Sequence, residues 1–158
     1  MVGGSADACE ALRPYLTCMG TEVTHCGGHG AGQVVKILNN MVLFMTGQAL
    51  AEALTIARRA GVDGKLLFEV MSKGSSDSFA LRNHGLKAMV PGVFPADAFP
   101  VDYAIKDISL ALDLAGQGGV EAKGAHTAHE LLEATSRAGF KTEYWPVVVK
   151  MVEGNNAS

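Results

Sequence analysis

One helical pattern dominates the chain. From Gly32 to Ala60, apolar residues recur in three- and four-residue steps at Val35, Leu38, Val42, Met45, Ala49, Ala53 and Ile56, and Gly61 stands at the expected stop. A helix of about 29 residues is roughly 43 Å long at 1.5 Å per residue, well beyond the globular average. So long and so apolar an element needs partners on more than one face, and the rest of the fold has to be organised around it.

The elements that follow are also helical. "DGKLLFEVMSKG" has Asp63 as a cap and Gly74 as a stop, and "SDSFALRNHGLKAMV" offers Ser76 or Ser78 as a cap before Pro91 breaks the pattern. After the loop "PGVFPADAFP", Ile105, Ile108, Leu112 and Ala115 share a stripe in "VDYAIKDISLALDLAGQ". "KGAHTAHELLEATSRAG" ends at Gly139, "WPVVVKMVEG" closes the ordered part, and the tail "NNAS" is expected to fray. The first thirty residues differ: Ser5 caps a short helix in "SADACEALRPYL", and "TEVTHC" alternates like a strand. The fold class expected is all-α, a multi-helix bundle around one long central helix, preceded by a short α/β remnant.

Composition limits the function. The chain has 158 residues, 48% hydrophobic and 18% charged, with a formal net charge of -3, which is ordinary globular composition without a basic stripe to neutralise a phosphate backbone. No nucleic-acid partner is expected. Cys9, Cys18 and Cys26 form an odd set without a C-x-x-C pair, which fits reduced thiols in an intracellular protein. The run "ILNNMVLFMTGQALA" lies between Lys36 and Glu52 and holds two asparagines and a glutamine, short of the ~18 to 20 apolar residues of a span. It is read as a buried soluble helix, with no membrane partner and no secretory signal at the N-terminus.

The segment "GGHGAGQVVKILNN" invites a nucleotide reading, which fails on spacing. Gly28 and Gly30 supply two glycines of a dinucleotide fingerprint, but Gln33 stands at the third and no second strand follows; Gly27-x-x-x-x-Gly32 is likewise followed by Gln33 where a P-loop needs lysine. What remains is a helix start. Glycines allow close backbone approach, a helix N-terminus attracts anions, and Gln33, Lys36 and Asn40 share one face. A lysine, an amide and a helix N-terminus suit a carboxylate beside an oxygen that gains or loses a proton. The alternative is a solvated lysine and a helix-interior asparagine.

These residues resemble a family. "GGHGAGQVVKILNNMVLFMTGQALAEALTIARRAGVD" is similar to the helical-domain signature of the β-hydroxyacid dehydrogenases, the group of 3-hydroxyisobutyrate dehydrogenase and tartronate semialdehyde reductase. The shared positions are Gly30, Gly32, Lys36, Asn39 and Asn40. A second match, Phe99 followed by Lys106 and Asp107 in "FPVDYAIKDISLALDLA", resembles the family's F-x-x-x-x-x-x-K-D helix start.

The resemblance implies roles. Lys36 matches the catalytic lysine that protonates the carbonyl oxygen in reduction or takes the hydroxyl proton in oxidation, and an ammonium there stabilises a developing alkoxide. Gly30, Gly32, Asn39 and Asn40 would bind substrate, Asn40 orienting it and the lysine. Phe99 and Lys106 would lie near the nicotinamide end of NAD or NADP, and Asp107 would hold that helix. The family's dinucleotide fingerprint and its serine-and-glycine substrate loop are expected N-terminal to residue 1. Residues 1–30 are accordingly read as the end of a Rossmann domain and 31–158 as a C-terminal substrate and dimerisation domain, in which "EYWPVVVK" departs from the family's glycine-aspartate segment. A small hydroxy-acid substrate, a homodimer or homotetramer, and a cytoplasmic or mitochondrial-matrix location follow from the resemblance.

Other candidates are weaker. His25, Cys26 and His29, or His126 and His129, fall short of four ligands, so no metal is expected. Asp102, Asp107 and Asp113 read as a solvated face, and Met41, Met45, Met71, Met89 and Met151 as core filler. Two rivals stand beside the dehydrogenase reading: a non-catalytic helical oligomerisation module derived from such an enzyme, and a related imine- or amine-forming reductase.

Overall fold

The caps written in the sequence start the helices. In this computed structural model, which describes residues 1–154, Ser5 Oγ accepts from the Ala8 N–H at 3.2 Å to open α1 (Ala6–Leu16), and Asp63 accepts from the Leu66 N–H at 2.8 Å to open α3 (Gly64–Met71). The long helix α2 covers Ala31–Arg59. Beyond it Gly61 donates to Arg58 O at 3.1 Å and Val62 to Ala57 O at 2.8 Å, the paired bonds that close a helix C-terminus. Helices α4 (Val101–Gln117), α5 (Lys123–Thr135) and α6 (Val148–Glu153) follow, but α5 ends four residues before the expected stop at Gly139, where Ser136–Phe140 winds on as a π-helix, and a 3-10 turn, Trp145–Val147, leads into α6. The tail "NNAS" lies outside the described residues.

Between α3 and α4 the winding differs from the expected α-helix. Ser78 Oγ accepts from Leu81 N–H at 3.1 Å, but Leu81–Met89 is a π-helix, and bonds of i to i+5 type run on from Val90 N–H to Gly85 O at 2.9 Å and from Val93 N–H to Ala88 O at 3.1 Å. Such stretches are rare and cluster at functional sites. The strand expected in "TEVTHC" does not form. His25 makes one parallel bridge to Val2, with Val2 N–H donating to Thr24 O at 2.9 Å and Cys26 N–H to Val2 O at 2.8 Å. One bridge to a four-residue segment gives no ladder to extend.

The chain divides into two compact units, Met1–Asn40 and the residues from Met41 onward. In the second, Phe44, Leu54, Phe68, Leu81, Ile108 and Trp145 are among the core side chains, none more than 2% exposed. Met41, Met45, Met71 and Met151 pack at its margin and Met89 within it.

Helix α2 corrects one expectation. The face buried in the chain is Phe44, Gly47, Leu50, Ala51, Leu54, Thr55 and Ala57. The stripe that defines its periodicity points elsewhere: Val35 is 41% exposed, Leu38 39%, Val42 57% and Ile56 67%. Of its most apolar 18-residue window only 22% is buried, so it is not the buried helix expected. By length and composition alone α2 is long and apolar enough to cross a membrane, although Asn39, Asn40 and Gln48 within it would each be costly in hydrocarbon.

A buried polar cluster sits on the π-helix. His84 is 8% exposed, its Nδ1 lies 2.5 Å from the Tyr144 hydroxyl, and its ring packs on Phe79 and Trp145. Its Nε2 is buried without a hydrogen-bond partner among the described residues. Burial, and then Lys87 on the same helix, hold the imidazole below its usual range, while burial pushes the Tyr144 phenol up. Because the unfolded histidine binds its proton near pH 6.5 and the folded one only at lower pH, the unfolded state carries the extra proton between them. Stability should therefore fall as the pH drops below about 6.5, by at most ~1.4 kcal/mol per unit for this one group. Urea unfolding of wild type and His84→Phe from pH 7.5 to 5 checks this, with a flatter decline expected in the variant.

Candidate active site

The glycine segment builds a close-packed helix start. Gly30 adopts φ +84, a left-handed conformation that favours glycine, and its carbonyl accepts from the Gln33 and Val34 N–H groups at 3.0 and 3.1 Å. Residues 1–4 clip beside it: Gly4 N–H donates to Gly27 O at 2.9 Å and His25 Nε2 to Gly4 O at 2.8 Å. The approach leaves no room for side chains. A Cβ on Gly3 would stand 2.8 Å from Gly28 O and 2.9 Å from Gly32 N, and one on Gly32 would stand 3.0 Å from Gly3 N. Gly32 therefore serves as backbone against backbone. Gly3, its counterpart, carried no signal in the sequence because the match depends on a contact across some thirty residues.

This seat opens onto a cavity of about 530 Å³ lined by Met1, Val2, Gly3, Leu16, Gly30, Gly32, Gln33 and Lys36. The first turn of α2 holds no acidic side chain, so its N-terminal dipole is not neutralised locally. Lys36 is half-buried in the cavity wall, and Asn40 follows one turn later, also half-buried. Asn39 is exposed, and its Nδ2 donates to Asn40 Oδ1 at 3.2 Å. Gly30, Gly32 and Lys36 thus line one cavity, and Asn39 and Asn40 pair beside it along the helix.

The second candidate set lies at the start of α4. Phe99 is half-buried, stacked on Phe44 at 6.1 Å and edge-on to Tyr103 at 6.2 Å. Lys106 is 61% exposed at its side chain, with Nζ 5.7 Å above the Tyr103 ring and 3.6 Å from Asp107 Oδ1. Asp107 is only 1% exposed, which corrects its reading as part of a solvated face. It falls on the inner stripe of α4 with Ala104, Ile108 and Ala111, whereas Asp102 and Asp113 are exposed. Among the described residues, no group of three or more His, Cys, Asp or Glu side chains could hold a metal ion. The Ser109, His129 and Glu133 side chains adjoin but form no catalytic relay: Ser109 Oγ and Glu133 both meet the same His129 nitrogen, Nε2, at 3.2 and 3.8 Å.

Residues 30–151 match the family model described as the NAD-binding domain of NADP-dependent 3-hydroxyisobutyrate dehydrogenase. The chain belongs to this family. It is 33% identical over 153 residues to 2-(hydroxymethyl)glutarate dehydrogenase of Eubacterium barkeri, covering 97% of this chain and 50% of that protein. It is 41% identical over 120 residues to 3-hydroxyisobutyrate dehydrogenase of Pseudomonas aeruginosa, covering 71% and 39%. The solved structure of Mycobacterium tuberculosis 3-hydroxyisobutyrate dehydrogenase with L-serine superposes with a TM-score of 0.86 at 28% identity, over 96% of this chain and 54% of that one. The chain therefore spans about half the length of the relatives it matches. The family's cofactor is a nicotinamide dinucleotide, NAD or NADP, and its members act on small hydroxy acids.

The start of α4 fits such a group in chemistry. An exposed cation beside an exposed aromatic ring, Lys106 above Tyr103, offers a charge for a phosphate and a face for a heterocycle. Tyr103 carried no separate signal in the sequence, since its value lies in its neighbours.

Proposed function

We propose that this chain is the C-terminal helical domain of an NAD(P)-dependent 3-hydroxyacid dehydrogenase with a 3-hydroxyisobutyrate-like substrate, in which Lys36 is the general acid and base. The observation that carries the reading is Lys36 in the wall of the cavity at the N-terminus of α2, beside Gly30 and Gly32. The positive end of the α2 dipole, with no acidic side chain in its first turn, attracts the substrate carboxylate to the helix start at Gly32. In oxidation the Lys36 amine takes the hydroxyl proton, and in reduction the ammonium returns it to the carbonyl oxygen. Asn40, one turn on, orients the lysine and the substrate oxygen, and Asn39 holds the Asn40 amide. Phe99 and Lys106 would hold the nicotinamide end of the dinucleotide, which would accept or supply the hydride. Residues 1–30 form the end of the dinucleotide domain in this reading, and residues 31–158 the helical domain.

The outward face of α2 adds the partner. Val42, Met45, Ala49 and Ala53, with Met71, line an apolar groove of about 600 Å³, the kind of surface that marks a protein interface. A second copy of the chain covers it, giving a homodimer or homotetramer in the cytoplasm or mitochondrial matrix. Light scattering on the chain should give at least twice the monomer mass, and a clean monomer would count against this assignment.

The same groove is what favours the second reading, a helical module kept for oligomerisation alone. Turnover separates them. Residues 1–158 by themselves should show no oxidation of any 3-hydroxy acid with NAD or NADP, while the chain joined to a dinucleotide-binding half should turn over at least one member of a panel of 3-hydroxy acids. A joined enzyme inactive on the whole panel leaves the module reading standing.

A further inference from the structure

Trp145, the chain's one tryptophan, is 1% exposed. Its ring lies directly against α2 at Gly47: a Cβ there would fall 2.3 Å from Cζ3 and 2.4 Å from Cη2. The ring also meets Phe44, one turn earlier on α2, edge-on at 5.3 Å between centroids, and Phe44 stacks on Phe99. His84 lies 4.9 Å from the Trp145 ring and holds the preceding residue, Tyr144, by its hydroxyl.

The backbone of this segment does something specific for α4. The first N–H groups of a helix have no partner inside it, and the residue before α4 is Pro100, which has no side chain to cap them. They are satisfied from a distance instead: Val101 N–H donates to Glu143 O at 3.0 Å and Asp102 N–H to Lys141 O at 3.1 Å. Trp145 N–H closes the arrangement by donating to Phe99 O at 3.0 Å. The first turn of α4, five residues before Lys106, is thus capped by a strand of chain that the Trp145 ring anchors.

We infer that Trp145, seated on Gly47 and steadied by the Tyr144 and His84 pair, is a positioning residue that sets Phe99 and the first turn of α4, and through them Lys106. This rests on the reading of Phe99 and Lys106 as the cofactor-facing end of the domain. It assigns to the segment around Trp145 a role in dinucleotide binding without contact to the dinucleotide.

The test uses the full-length enzyme and two readouts, the KM values for dinucleotide and hydroxy acid and the hydrogen exchange of the Val101 and Asp102 amides. Gly47→Ala drives a methyl into the Trp145 ring. It should raise the dinucleotide KM about tenfold, within the up to ~10²-fold loss that a 1 Å misplacement can cause, speed exchange at both amides, and leave the hydroxy-acid KM near wild type. Adding Trp145→Phe, which removes the ring edge that the methyl strikes, should restore much of the loss. Trp145→Phe alone keeps an aromatic in the core and, by loosening the segment, should show the same two changes more weakly, so the inference is decided even if Gly47→Ala fails to fold. Lys106→Ala separates the two claims. If it raises the dinucleotide KM while Gly47→Ala or Trp145→Phe leaves both readouts at wild type, the positioning role is overturned. If Lys106→Ala leaves the dinucleotide KM unchanged, the cofactor-facing reading fails and the inference falls with it.

Discussion

If Lys36 is the proposed general acid and base, Lys36→Ala in the chain joined to a dinucleotide-binding half should lower kcat by about 10²- to 10⁴-fold, the range that a positioned general acid or base contributes. The dinucleotide KM should change little, because the residues proposed to face the cofactor are Phe99, just before α4, and Lys106 on it. Lys36→Arg should not recover the activity. A guanidinium carries a charge and donates hydrogen bonds, but it does not release a proton in a protein, so it mimics the ammonium electrostatically and fails as a base. Steady-state kinetics on the three enzymes checks all of this. Recovery in Lys36→Arg would mean that charge alone is what the site needs.

Trp145→Ala should destabilise the chain by about 3–5 kcal/mol, the usual loss for deleting a buried large aromatic. The upper end is expected because α2 has little freedom to close the space: Gly47 presents only backbone to the ring, and Phe44, which also leans on the ring, is itself fixed against Phe99. Against a typical total of about 5–15 kcal/mol, that is a large fraction. Urea unfolding gives the value, and a loss below ~1 kcal/mol would show that the core around Trp145 repacks.

The parts of the fold that the sequence made legible are those written within a few residues. Ser5, Asp63 and Gly61 each act through neighbours three to five positions away, and each forms the bonds its type and place call for. The same is true of the candidate site at α2. Gly32, Lys36 and Asn40 follow one another at four-residue steps, so helix geometry alone relates them, and Gly30 stands just before the helix.

What stayed hidden depends on contacts distant in sequence. Helix α2 is apolar on both sides, so periodicity could not tell the buried face at Phe44, Ala51 and Leu54 from the outward one at Val42 and Ile56. Asp107 was read from its charge, yet its place on the stripe with Ala104 and Ile108 buries it. His84 meets Tyr144 across sixty positions, and the Val101 and Asp102 N–H groups find carbonyls some forty residues on. No local pattern encodes such pairs.

The central claim is that Lys36 moves a proton, and chemical rescue tests it most directly. In the Lys36→Ala chain joined to a dinucleotide-binding half, turnover of the best 3-hydroxy acid is measured with increasing methylamine or ethylamine, each small enough to enter the space the side chain vacates. Activity should return in proportion to the free amine, while wild type is indifferent. A Lys36→Ala enzyme that turns over at the wild-type rate and ignores added amine would contradict it.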